Sequence, residues 1–310
     1  MKIVDLRQMT SRQLEPLFEE EQRNWLEELH WDYAPSQQLI RKFVDARSLL
    51  GFAALENGAL SGYSFFVLEE RKGLIGGLFA TSGAARFEIC RALLAETCAA
   101  LRAVPRLERI EAQLMPFGIA LDPALTEMKF RLYGRQFMLL PLAEAPAARP
   151  AAEGAPPLDT WDDRYLSPCA RLIQLAYANH VDSEVNDQYH SEAGALKFLK
   201  NIIILPGCGQ FLPEASFVVR GVSSDRLVGV VLTSAVAPGV AHITQICVMP
   251  GYQGNGQGRH LMQASIEALR ARRFRALSLT VTSLNARAIR LYEKIGFKTA
   301  KTFSAAVWKA

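Results

Sequence analysis

The chain has 310 residues, half of them hydrophobic and 21% charged, with a formal net charge of +4. That length predicts two domains of ordinary size, and the composition is globular rather than disordered. So small a charge suits an anionic small ligand and argues against nucleic acid as a partner.

The five cysteines, Cys90, Cys98, Cys169, Cys208 and Cys247, are odd in number and form no C-x-x-C pair. They predict a reducing cytoplasm, with no disulfide framework and no metal site. The N-terminal residues contain no apolar signal core, and no stretch approaches 18 apolar residues. Neither secretion nor membrane insertion is expected.

Taken in chain order, "LLGFAALENGALSGYSFFVLEE" predicts two strands around an Asn57-Gly58 turn, and "GLIGGLFA" a third. A helix over 86–101 follows, then strands over 107–113 and 137–142. Residues 142–160 are rich in Ala and Pro, with Pro146, Pro150, Pro156 and Pro157 breaking any helix. They divide the chain into a first domain at 1–142, a semi-extended linker at 143–157 and a second domain at 158–310.

The second half repeats the order. Strands are expected over 215–220, 227–234 and 240–248, with turns at 223–225 and at Pro238-Gly239. A helix to about residue 273, a strand over 277–282, a helix over 286–294 and a final strand from Phe297 complete it. Local echoes accompany this, such as "FRLYGRQF" against "YEKIGFKT". A tandem duplication of one αβ unit accounts for both.

"QGNGQGRHLM", residues 253–262, stands where a strand gives way to a helix. A P-loop needs G-x-x-x-x-G-K-[ST], which is absent here. Gly254, Gly256 and Gly258 are spaced G-x-G-x-G, not as the G-x-G-x-x-G of a dinucleotide fold, and about fifty residues downstream are too few for one. What remains is Gln253-x-x-Gly256-x-Gly258. Glycines let backbone approach a ligand, and unpaired N–H groups at a helix start form a concave donor site for phosphate. Alone the pattern is weak, since about 0.3 chance matches are expected in such a chain.

Its context resembles the GNAT superfamily of acetyl-CoA-dependent N-acetyltransferases. "ITQICVMPGYQGNGQGRHLM" is similar to that family's fourth strand, V-x-P junction and pyrophosphate loop. "TVTSLNARAIRLYEKIGFK" is similar to its downstream Asn and A-x-x-L-Y-x-x-x-G-F segment. The resemblance covers roughly residues 158–310 and is topological for the first half.

It implies an α/β (α+β) fold of two tandem GNAT-like domains, each a mixed, largely antiparallel sheet flanked by helices. It also implies acetyl-CoA as co-substrate and an amine as acceptor. Backbone groups of Ile246, Cys247 and Val248 would meet the pantetheine arm. Residues Gln253, Gly254, Asn255, Gly256, Gln257, Gly258 and Arg259 would wrap the pyrophosphate. Asn285 would touch the cofactor arm, and Tyr292 would be the general acid. Helical spacing sets Tyr292 on one face with Ala288, Leu291 and Ile295, which also suits a half-buried core tyrosine.

The sequence departs from the family on its fourth strand. Many relatives carry a Glu base on the fourth strand, where Gln245 stands here; His242 is the candidate base, expected on the opposite face unless a bulge intervenes. Residues 177–192, with His180, Asp182, Glu184, Asp187 and His190, form an acidic loop that suits a cationic amine or is simply solvated. Arg270, Arg272, Arg273 and Arg275 close a helix, complementing its dipole or meeting phosphate.

The first half lacks both signatures, so it is expected to be degenerate, with Trp25, Trp31, Asp32 and Tyr33 as surface or packing residues. The expected activity is N-acetyl transfer to a small molecule or peptide amine, without metal, membrane or nucleic acid. The alternative is a non-catalytic acyl-CoA sensor or scaffold. Monomer and homodimer both remain open, as does the acceptor.

Overall fold

The computed structural model describes residues 1–115, 117–147, 156–221 and 226–310. The expected turn at 223–225 and residues 148–155 of the expected linker lie outside the described residues. Two compact units interleave in sequence: Met1–Gly134 with Phe303–Ala310, and Arg135–Thr302.

In the first unit β1 (Lys2–Asp5) precedes α1 (Ser11–Leu29), α2 (Ala34–Asp45), β2 (Leu50–Glu56), β3 (Ala59–Glu69), β4 (Lys72–Ala80), α3 (Arg86–Arg102), β5 (Arg109–Gln113) and α4 (Asp122–Glu127). Thr10 and Gln13 form a reciprocal capping box at the start of α1, whose buried Leu14, Leu17, Phe18 and Glu21 share one face. Asn57 (φ 51°) and Gly58 (φ 85°) turn β2 into β3, the double positive φ that a two-residue hairpin requires. The sheet runs β1-β2-β3-β4-β5, antiparallel until the parallel β4·β5 pair.

β6 (Arg131–Pro141) leads into the second unit. There follow β7 (Leu158–Thr160), α5 (Leu166–Tyr177), α6 (Val181–Val185), α7 (Glu192–Ile204), β8 (Gln210–Phe211), β9 (Phe217–Arg220), β10 (Leu227–Ala237), β11 (Val240–Val248), α8 (Gln257–Ala271), β12 (Ala276–Thr282), α9 (Ala286–Ile295) and β13 (Lys298–Lys309). The sheet order is β6-β12-β11-β10-β9-β7, with β8 on β10. One core lies under α8 and α9, a second under α5 and α7. No helix among the described residues is long and apolar enough to cross a membrane.

Both units carry a similar helix-and-strand order, the mixed, largely antiparallel αβ arrangement that the resemblance implied. Each sheet also takes a strand from the other half of the sequence. Ala305–Lys309 of β13 pairs antiparallel with β5, and Arg135–Pro141 of β6 pairs antiparallel with β12.

Two local features open the second unit's sheet. β11 and β12 are paired in parallel only over Val240–Ile243 and Ala276–Leu279, although β11 runs to Val248 and β12 to Thr282. Beyond that point they diverge. Just there Leu232 faces Gln245 while Thr233 faces Ile243, so Thr244 is the extra residue of a β-bulge.

Candidate active site

The diverging strands leave a cleft of about 800 Å³ floored by β11 and walled by α5, α6, α8 and α9. Met249 N–H bonds the Val228 carbonyl on β10 at 2.8 Å. By the alternation of an antiparallel ladder, Ile246 and Val248 turn their N–H and C=O groups the other way, toward the side β12 has left. Their carbonyls are met there by side chains. Tyr177 Oη donates to Ile246 O at 3.3 Å, and Gln253 Nε2 donates to Val248 O at 2.9 Å. Tyr177 also reaches Gln245 Oε1 at 3.2 Å.

At the mouth of α8, Gly254 (φ 93°) and Gly256 (φ 82°) hold left-handed backbone that other residues adopt only with strain. Gly256 is the N-cap and offers no side-chain cap. The first N–H groups of α8 thus have no carbonyl within the helix to bond, and they open onto the cleft beside the dipole's positive end. A Cβ on Gly256 would meet nothing within 4 Å, so the space before the helix is free. Arg259 lines the cleft, and its buried Nε has no partner among the described residues. The fit to a pyrophosphate is that of a cradle of N–H donors with an adjacent cation.

α9 forms the facing wall. Asn285 is its N-cap, accepting from Ala288 N–H at 3.2 Å while lining the cleft. Tyr292 and Ile295 are buried, with Ala288 and Leu291 packed beside them, the face anticipated from their spacing. Tyr292 also lines the cleft. Burial first, then the charge of Asp182, pushes its phenol well above the ordinary range, so it keeps its proton at neutral pH. Cys247 lines the cleft too, but burial pushes its thiol up to about 12, which removes it as a nucleophile.

Of the residues expected to bind the cofactor or to act in catalysis, all but Asn255 and His242 line this one cleft. His242 and Gln245 do not face opposite sides. Ser234 pairs with His242 and Leu232 with Gln245, so the bulge at Thr244 brings both onto one face. His242 is nevertheless buried, stacked on Phe137 at 5.9 Å, with Nδ1 2.8 Å from Ser278 Oγ. Burial, aided by Arg135, lowers its imidazole to about 3. A ring that stays neutral to that acidity is a weak proton acceptor. The structure does not bring His242 to the cleft as a base.

The acidic stretch is not a plain loop. His180 Nδ1 caps Asp182 N–H at 3.1 Å to start α6, and Asn186 caps the next turn. Of its titratable side chains singled out from the sequence, His180 and Asp182 line the cleft. The arginines closing α8 serve the fold. Arg270 donates to the carbonyls of Leu142 and Ala145, Arg272 pairs with Glu214 at 3.3 Å, and Arg275 donates to Pro238 O. In the first unit Trp25 stacks on Tyr33 at 4.7 Å and packs against Trp31. Tyr177, Arg287 and Arg135 were not anticipated. Arg287 had a signal, lying two residues past Asn285, but the other two are placed by tertiary contacts alone.

Residues 181–297 match the Acetyltransferase (GNAT) family model. A stretch of 108 residues is 32% identical to a mycothiol acetyltransferase of Beutenbergia cavernae; it spans 35% of this chain and 36% of that relative's length. The fold is similar to a GCN5-related N-acetyltransferase from Sphaerobacter thermophilus, with TM-score 0.66 and 15% identity over 88% of this chain and 85% of that one. It is also similar to a tandem GNAT protein from the clavulanic acid biosynthesis pathway. There the TM-score is 0.59 and the identity 16%, over 99% and 98% of the two chains.

Proposed function

We propose, from the premise that this chain carries a GNAT-family acetyltransferase domain, that its second unit moves an acetyl group from acetyl-CoA directly to an amine. The observation that carries the reading is the convergence of both glycine-loop and α9 residues on the cleft opened where β11 and β12 part.

Each group has a task that fits its surroundings. The α8 N-terminus and Arg259 hold the pyrophosphate. The outward backbone of Ile246 and Val248 lines the pantetheine arm, and Val248 N–H faces the thioester oxygen, where it steadies developing negative charge. Much of the rate comes from holding amine and thioester together. The nitrogen lone pair attacks the carbonyl carbon; the carbon–nitrogen bond forms and the carbon–sulfur bond breaks. The departing sulfur takes the proton of Tyr292, and the proton lost from nitrogen returns to the phenolate through water. The products are an N-acetyl amine and CoA.

Gln245 supports a second reading. It cannot take a proton, and its amide lies buried against Tyr177, which suits an acyl-CoA sensor. Release of CoA thiol with a panel of primary amines separates the two. Acetylated product with at least one amine supports the enzyme. Tight acetyl-CoA binding without product from any of them supports the sensor.

A further inference from the structure

We infer that Asp182 receives the acceptor's ammonium group, with Arg135 and Thr282 fixing where its carboxylate stands. The inference deepens the transferase reading of the same cleft and rests on it.

Asp182 is the one acidic side chain among the described residues lining the cleft. Four cations, Arg259, Arg287, Arg290 and Lys294, line it from α8 and α9. The cleft is thus polar by design of its walls: cations face the expected phosphates, and a single carboxylate enters from α6. The β11 position where relatives place a carboxylate holds neutral Gln245.

Asp182 differs from an ordinary structural brace in what it leaves open. Its Oδ1 accepts from Thr282 Oγ1 and from Arg135 Nη1 at 3.4 Å, and Arg135 Nη1 also donates to Thr282 Oγ1 at 2.9 Å. That triangle pins the carboxylate. Oδ2 accepts no hydrogen bond among the described residues. His180 Nδ1 lies 3.5 Å from it, but that nitrogen already accepts the backbone N–H of Asp182, so it has no proton there to offer. Oδ2 is therefore an acceptor with spare lone pairs on a residue that lines the cleft, and an ammonium brings three donors.

With Oδ1 pinned and Oδ2 open, Asp182 selects and orients the amine, and the ammonium's extra proton leaves to solvent before the nitrogen lone pair attacks. The Asp182 charge also acts on the Tyr292 phenol, and both residues line the same cleft. Arg135 lies on β6, upstream of the Ala/Pro-rich stretch. The first half of the sequence thus supplies a positioning residue to the second unit's site.

The test reads binding without turnover, by ligand-observed NMR on the full chain loaded with CoA. The probes are matched pairs: ethanolamine with ethylene glycol, glucosamine with glucose, L-alaninamide with L-lactamide, and putrescine with butane-1,4-diol. At least one amine is expected to bind tenfold or more tightly than its hydroxyl counterpart. Asp182→Asn removes that advantage while the acetyl-CoA Kd stays within twofold.

No amine with an advantage, or an advantage that survives Asp182→Asn, overturns the inference. If Asp182→Asn does not fold, Thr282→Val decides, because it keeps the carboxylate but loosens Oδ1. A reduced advantage there supports the assignment and an unchanged one overturns it. Failure of the transferase reading shows separately, as acetyl-CoA that does not bind or is never consumed.

Discussion

Arg287 on α9 donates through Nη1 to Gln253 Oε1 at 2.9 Å, while the same amide donates to the carbonyl of Val248 at the end of β11. Gln253 was expected to wrap the pyrophosphate. Its side chain ties the end of β11 to a cation on the facing wall. Gly254 keeps that cation close, since a Cβ there would lie 3.2 Å from Arg287 Nη2. The pair thus acts as a unit, and its two truncations are expected not to add. Gln253→Ala and Arg287→Ala should each weaken acetyl-CoA binding by about 5- to 10-fold, and the double variant by little more. Calorimetry on the three variants checks this; full additivity would show that the two side chains act apart.

Tyr292 holds its proton because it is buried and sits within reach of the Asp182 charge. Tyr292→Phe keeps the packing against Phe297 and removes only the hydroxyl. The expected result is a fall in kcat of about 10²- to 10⁴-fold with acetyl-CoA affinity unchanged, the range for a lost general acid. Full turnover in this variant would make Tyr292 a core tyrosine and nothing more.

Glu21 gives the first unit a pH dependence unrelated to catalysis. It is buried with Tyr63 donating to its carboxylate and Gln37 Nε2 at 3.5 Å, and burial lifts its carboxyl from an ordinary 4.5 to about 7. Between those values the folded chain binds more protons than the unfolded one, so stability falls as pH rises through the window. The loss amounts to about 3 kcal/mol at most. Glu21→Gln should flatten the decline of Tm between pH 5 and 8 and raise Tm at pH 8. Identical slopes for the two proteins would contradict it.

The local chemistry of the second half was legible because it is encoded locally. Gly256 at a left-handed N-cap, Asn285 at the start of α9, and the Ala288, Leu291, Tyr292, Ile295 face all follow from spacing and backbone preference. The strand over 240–248 was placed as found, since its apolar run has clear turn residues on either side. What was hidden depends on partners. The bulge at Thr244 exists only through the register with β10, and it reversed the expected facing of His242. The exchange of β6 and β13 depends on which sheet edge is open to each strand, and no local pattern records that. Arg135 reaches Asp182 by the same route.

Calorimetry with acetyl-CoA on the intact chain and on a Gly256→Asp/Gly258→Asp variant tests the pyrophosphate cradle most directly. The two substitutions set carboxylates at the helix mouth, one of them on left-handed backbone. The intact chain is expected to bind acetyl-CoA and the variant to lose at least about 100-fold in affinity, from repulsion and a blocked approach. Equal affinity in the two proteins would contradict the assignment of the α8 N-terminus as the phosphate site.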